Sequence, residues 1–490
     1  MRRKRREFRI RACKRTYDKS TGKFCFNISY ETHTKITPRS IVIAEAFGLG
    51  IDETRRFKVL DVELKIGPKD IVYITGDSGS GKSVLLRAIR ADLGEEAIDL
   101  SEVQVDPEKP LIETVGVTVE QGIELLSKVG LNDAFLFLRT YSQLSDGQKY
   151  RYRIAKLIES QKQWWLMDEF AACLDRDTAK IIAFNLQRIA RSQGRAAIVA
   201  TTHSDLVEDL SPSVFVVKRF GEEIDIQYPT AIASECSLIK EMRVEQGTRE
   251  DWLKLATFHY RGHNTSVVRN FFRLMRGNEL CGVIVYCYPS PSCFGRRLVL
   301  PKMTMTEVNA QISLISRLVI HPKYRTVGLG AKLIHDTLPL AGTLYVELIA
   351  VMPKYSPFAE KAGMKKIAIQ TQVKSVAKIS RLLVSLGFDL QFLGSKTYIK
   401  EVLEGLDPKK LSQLREGFLH CKHPRFQPQF CSLGHQLYFT REEWTNAVMT
   451  ASLEKLGNVI KIIGVLLQMK VYLLWSRDNS IKLFRAEAFL

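Results

Sequence analysis

GDSGSGKS, Gly76 to Ser83, decides the fold of the first half of this 490-residue chain. The residues before it, Ile71 to Thr75 (IVYIT), are an apolar, β-branched run of strand length. Those that follow, Ser83 to Arg90 (SVLLRAIR), have helical spacing. In a strand, glycine loop and helix in that order, backbone amides and a helix N-terminus converge on one point and favour negative charge there. The spacing predicts that Gly76, Ser78, Gly79 and Gly81 wrap a polyphosphate. Lys82 then reaches its outer phosphates, and Ser83 offers a hydroxyl to Mg²⁺. A Gly/Ser-rich turn before a helix is the bland alternative, and the rest of the chain weighs against it.

Trp164 to Met167 (WWLM) reads as a second buried strand, ending in Asp168 and Glu169. The first carboxylate is placed to hold Mg²⁺, directly or through water, and the second to polarise an attacking water as general base. Ile198 to Thr202 (IVATT) reads as a third strand and runs into His203, within reach of a γ-phosphate. LSDGQ (Leu144 to Gln148) and CLD (Cys173 to Asp175) complete five strings in one order. LSDGQ resembles the signature loop of the ABC-type ATPases, with Asp146 where glycine is usual, and the resemblance covers roughly Val59 to Phe220. It implies ATP and Mg²⁺ as ligands and an ATP-dependent homodimer. In that dimer Ser145, Gly147 and Gln148 open a helix facing the nucleotide of the other protomer, with Ser145 and Gly147 at the γ-phosphate. Asp175 matches the D-loop. Gln104, before PEKPLIETV, matches the Q-loop and joins Ser83 and Asp168 around the metal. An aromatic that stacks on the base is expected upstream, and Phe57 is the candidate.

Ser313 to Ile320 (SLISRLVI) is a strand-like run, followed by RTVGLG, Arg325 to Gly330, and a helical stretch. A glycine turn before a helix is again the bland reading. RTVGLG resembles the RxxGxG/A loop of the GNAT acyltransferases, and the resemblance covers roughly Ser237 to Gln370. It implies that Arg325, Val327, Gly328 and Gly330 cradle the pyrophosphate of acetyl-CoA or another acyl-CoA. Around the loop, a helical Arg249 to Tyr260, strands at Phe271 to Met275 and Cys281 to Tyr286, a strand at Thr343 to Val351 and a short helix at Ser356 to Met364 follow the GNAT order. The family often places a general acid where Ala359 stands, so Tyr355 and Glu347 are the candidates for acid–base work. Together the halves resemble the uncharacterised ABC-type ATPases fused to a predicted acetyltransferase domain.

The fold expected is therefore α/β throughout: a basic arm with strands (1–50), an ABC-type P-loop ATPase domain (51–236), a GNAT-like acyltransferase domain (237–370) and a small α/β C-terminal region (371–490). A formal net charge of +19 points to a polyanionic partner. Residues 1–50 carry thirteen Lys/Arg against four Asp/Glu. This arm lacks the apolar core of a signal peptide. It reads as a nucleic-acid arm, a membrane-surface arm or a solvated tail. Nine cysteines without disulfide-like spacing suit a reducing, cytoplasmic setting. No stretch reads as a transmembrane helix: Val459 to Trp475 is short and broken by Lys461 and Lys470. His420, Cys421, His423, Cys431 and His435 crowd into one segment, of which Cys421, His423, Cys431 and His435 could ligate Zn²⁺; core thiols and surface imidazoles are the preferred reading. The function expected is ATP hydrolysis with N-acyl transfer from acyl-CoA, on or near nucleic acid. Two alternatives stand beside it. One is a soluble ABC ATPase, for transport or nucleic-acid remodelling, whose GNAT-like domain only binds. The other is a protein or small-molecule acetyltransferase regulated by ATP.

Overall fold

The computed structural model describes residues 8–32, 36–50, 56–259, 266–291, 293–350, 357–369, 374–421, 425–430 and 440–478. The chain divides into two compact units, Met1–Val285 with Arg317–Thr337, and Tyr286–Ser316 with Leu338–Leu490. In this division the segment up to Val285, and the RTVGLG loop with the helix after it, fall in the first unit.

Within the first unit, β1 (Phe8–Asp18), β2 (Lys23–Thr32) and β3 (Arg56–Lys65) form an antiparallel sheet. A six-stranded sheet follows, built from β4 (Ile71–Thr75), β5 (Ala97–Asp99), β6 (Trp164–Met167), β7 (Ala196–Ala200), β8 (Val214–Lys218) and β9 (Ile224–Gln227) in the order β5-β6-β7-β4-β8-β9. Only β9 runs antiparallel to its neighbour. β4, β6 and β7 are buried along their whole length, as parallel strands covered on both faces must be. Their alternation separates two cores. Ile71 and Tyr73 face a core with Tyr152, Trp165 and Ile182. Val72 and Ile74 face another with Leu85, Ile89, Phe24 and Leu64, which seats the antiparallel sheet over the helix Lys82–Leu93.

Further along this unit, β10 (Met242–Gln246) pairs antiparallel with β11 (Val268–Arg276), and β12 (Glu279–Cys287) follows after a tight turn. β13 (Ile312–Ile320) leads through Pro322–Tyr324 into the helix Leu329–Thr337. In the second unit β13 is parallel to β14 (Tyr345–Ala350) over Ile312–Leu314. β15 (Lys365–Ile369) does not neighbour β14, because β16 (Val471–Ser476) lies antiparallel between them. The residues between β15 and β16 are a helical insertion around Ile379, Leu383, Leu414, Phe418, Val459 and Ile463. The expected α/β C-terminal region is thus a helical body whose one strand returns to the sheet of the preceding segment. A Thr440–Glu443 capping box starts one of its helices: Glu443 N donates to Thr440 Oγ1 at 3.2 Å and Thr440 N to Glu443 Oε2 at 2.8 Å.

Candidate nucleotide site and the second glycine loop

The sheet brings three of the motifs to one edge. β6, β7 and β4 are adjacent and parallel. Asp168, the Thr201–His203 segment and Gly76–Lys82 follow their C-terminal ends, which is where open α/β sheets hold ligands. The P-loop backbone demands glycine. Gly76 has φ 136°, and a Cβ there would lie 1.9 Å from the Lys218 carbonyl oxygen. Gly81 has φ 103°, and its Cβ would meet Val59 Cγ1 at 2.8 Å.

Lys82 opens the helix Lys82–Leu93, with Nζ donating to the carbonyls of Gly76 (2.9 Å) and Asp77 (2.7 Å). Burial pushes its pKa down, against the pull of Asp168 and Asp77. Ser80 is buried, and its hydroxyl has no hydrogen-bond partner among the described residues. Ser83 is half-buried, and Ser78 and Gly79 are exposed. Asp168 accepts from the Glu169 amide at 3.0 Å. Glu169 is exposed and holds φ 50°, a conformation uncommon for any residue but glycine. The next turn is pinned by Phe170 N to the Ala200 carbonyl (2.8 Å) and Ala171 N to the Tyr150 hydroxyl (2.9 Å). The His203 carbonyl accepts from Thr75 Oγ1 at 3.0 Å and from the Tyr73 hydroxyl, so two residues of β4 position the half-buried histidine. Gln104 is exposed, and its Nε2 donates to Glu102 O at 3.3 Å. Ser83, Gln104 and Asp168 supply only oxygen donors, the set that suits Mg²⁺.

LSDGQ ends in a capped helix N-terminus. Ser145 caps Asp146–Glu159, and its amide donates to Gln148 Oε1 at 3.1 Å. Gly147 lies against the D-loop, with a Cβ there 3.3 Å from Leu174 Cδ2. Asp175 caps the helix Arg176–Gln193 through Thr178 N at 3.1 Å. The three roles that tie this turn, Tyr73, Thr75 and Tyr150, carry no motif signal in the sequence.

The second glycine loop is differently engaged. The Arg325 guanidinium donates to three carbonyls, those of Ile320 (2.9 Å), Asn132 (3.1 Å) and Phe258 (3.3 Å). Thr326, at φ 80°, accepts from Asn185 Nδ2 at 3.0 Å. Val327 is buried. Gly328 has φ 98° and open space where a Cβ would stand, and a Cβ on Gly330 would meet Leu318 Cδ2 at 3.6 Å. Just before the loop, the Tyr324 hydroxyl donates to Glu279 at 2.7 Å. Asp177 pairs with Lys323 (2.5 Å) and Arg276 (2.8 Å). The loop is thus fastened to the first turn of the helix that Asp175 caps.

In the second unit Glu347 is buried in a bidentate pair with Arg296 (2.7 and 3.1 Å) and accepts from the Tyr472 hydroxyl at 3.1 Å. The nearby Cys293 thiol is pushed up to about 12 by burial and by Glu347. Tyr355, His423, Cys431 and His435 lie outside the described residues; Cys421 is buried.

No family model matches the chain. It is 30% identical over 231 residues to a methionine import ATP-binding protein of Rhizobium etli, covering 39% of this chain and 63% of that protein. It is 28% identical over 213 residues to a phosphonates import ATP-binding protein of Cupriavidus metallidurans, covering 34% and 74%. The chain spans about six tenths of the length of the first curated relatives it matches. A dimeric ATP-binding cassette solved in a post-hydrolysis state with ADP and Pi aligns at 20% identity and TM-score 0.31, covering 36% of this chain and 94% of that one. Roughly a third of this mixed α/β chain is thus similar in sequence to import ATP-binding proteins. No described helix is long and apolar enough to cross a membrane.

Proposed function

We propose that the chain is an ABC-type ATPase that works without a membrane span of its own, and that its GNAT-like fold binds a ligand as a coupled module. The observation that carries the ATPase reading is the convergence of Gly76–Ser83, Asp168–Glu169 and His203 at the ends of β4, β6 and β7. Lys82 and the loop amides take the phosphates. Ser83, Gln104 and Asp168 would hold Mg²⁺, which would supply positive charge against the phosphates, while Glu169 is placed to activate water and His203 to contact the γ-phosphate. Ser145, Gly147 and Gln148 come from a second copy, so turnover needs a cytoplasmic homodimer.

Two features support a GNAT-like second fold: the RTVGLG turn joins the parallel neighbours β13 and β14, and β16 intervenes between β14 and β15. Binding is favoured over acyl transfer because Glu347, the acid–base candidate, is already paired with Arg296 and Tyr472. Gly328, with open space where a Cβ would stand, remains available to an acyl-CoA pyrophosphate. The test is a set of measurements on the full chain. ATP turnover is expected in the wild type and lost by about 100-fold or more in Glu169→Gln, which retains ATP and accumulates as a dimer by light scattering. Lys82→Ala should lose ATP binding. Calorimetry with acetyl-CoA reports on the second fold, and free CoA released with an amine acceptor would restore the acyltransferase reading. Wild-type turnover by Glu169→Gln would remove Glu169 as the base.

A further inference from the structure

Lys218, the last residue of β8, is fully buried, and nothing in the nucleotide chemistry above uses it. A buried ammonium is costly unless its N–H groups are satisfied. Here Nζ donates to the carbonyls of Arg219 and Gly221, both at 2.6 Å. Those residues belong to the turn between β8 and β9, which is closed by Arg219 N to Glu223 O at 3.1 Å. The Lys218 carbonyl abuts the first P-loop glycine, and its Cε lies 3.8 Å from where a Cβ on Gly81 would stand. The turn is therefore shaped by Lys218 and seated on the P-loop.

Its tip is Phe220, which is 62% exposed, with Cε1 3.9 Å from where a Cβ on Gly79 would lie. A second exposed phenylalanine, Phe57 at 45%, is the second residue of β3, two residues before Val59, the residue whose side chain a Cβ on Gly81 would meet. The two aromatic segments are bridged, since Lys58 Nζ reaches Glu222 at 3.2 Å. Two exposed aromatic rings thus border one anion-binding loop, on segments tied by an ion pair. A planar base attached to the phosphates is the chemistry such a border recognises, because every base offers a π-face to an aromatic side chain.

We propose that Phe220 forms the second wall of the base site, opposite Phe57, and that Lys218 is the positioning residue that holds it there. The proposal rests on the ATP-binding reading above and adds a contact from a part of the chain beyond the phosphate motifs. Full-length protein is titrated with ATP, GTP and inorganic tripolyphosphate. Phe220→Ala, an exposed truncation, should weaken ATP and GTP by roughly 5- to 100-fold and leave tripolyphosphate unchanged. Phe220→Trp should keep nucleotide affinity and lose indole fluorescence on ATP addition but not on tripolyphosphate addition. Lys218→Met should move ATP affinity in the same direction as Phe220→Ala. Wild-type ATP affinity in Phe220→Ala would overturn the proposal, as would an equal loss for ATP and tripolyphosphate, which would mean a disturbed P-loop. A wild-type protein that binds neither ATP nor tripolyphosphate would instead overturn the ATP-binding reading on which it rests.

Discussion

Arg325→Ala separates the two roles open to the arginine of RTVGLG. If it serves a ligand, its removal costs affinity and little stability. The contacts say otherwise. The guanidinium bonds the carbonyls of Ile320, Asn132 and Phe258, from three segments far apart in sequence. Burial pushes its pKa down, with Asp133 opposing. A hydrogen bond from a charged donor contributes about 1.5–3 kcal/mol. The Ile320 and Asn132 bonds are partly buried, whereas the Phe258 bond is exposed and long and adds little. With a discount for residual solvation, the loss is about 3 kcal/mol. For a slope of about 2–3 kcal/mol per molar urea, the unfolding midpoint of the first unit should fall by about 1 M. The measurement is urea unfolding of the full chain followed by tryptophan fluorescence, since Trp164, Trp165 and Trp252 all lie in that unit. Arg325→Lys should fall between, because one ammonium cannot reach three carbonyls in fork geometry. An unchanged midpoint together with lost acetyl-CoA binding would refute the clamp and return Arg325 to the ligand.

Two further outcomes follow from charge. Burial raises the Asp177 pKa, but the hydrogen bonds from Lys323 and Arg276 outweigh it and hold the carboxyl below its usual range. A depressed folded-state pKa gives stability that is present above the unfolded value, near about 4, and is lost as pH falls through the folded one; urea midpoints at pH 6 and pH 3 should therefore differ less for Asp177→Asn than for the wild type. The basic arm is tested by removing Arg2 to Arg6, which leaves β1 intact. If these five charges meet duplex phosphates, the log–log salt slope of DNA binding should flatten by as much as about 4, and equal slopes for the two proteins would take the arm out of any nucleic-acid contact.

The nucleotide edge is legible in the sequence because each of its parts is local. A strand, a glycine turn and a helix cap are set within a dozen residues, and IVYIT, WWLM and AAIVA are the buried strands that carry them. The second half is less legible because its decisive pairings are distant. β16 reaches β14 and β15 only after about 100 residues of helical insertion, so VYLLW is legible along the chain as a strand while its partners are not. Register between strands that far apart leaves no periodic trace. Glu347 reads as an available carboxylate on a strand. Its burial follows from Arg296 and Tyr472, 51 residues before it and 125 after it.

A glycine-loop motif alone does not assign a ligand. RTVGLG and GDSGSGKS share glycines at positive φ and a helix after them, and the backbone geometry that permits an anion is present in both. They differ in where the cation goes. Lys82 turns back onto the carbonyls of its own loop, contacts that an incoming phosphate can replace without disturbing another element. Arg325 binds carbonyls of Asn132 and Phe258, and a phosphate that drew it away would leave those oxygens without their donor. A ligand at the second loop must therefore use the amides around Gly328 and leave the guanidinium in place, or else loosen the Asn132 segment, twelve residues before LSDGQ. Acyl-CoA binding and the signature loop would then be linked through one side chain, and the effect of acetyl-CoA on ATP turnover in wild type and Arg325→Lys decides between the two. An effect of equal size in both places the ligand on the amides alone, and an effect lost in Arg325→Lys places the linkage in the guanidinium.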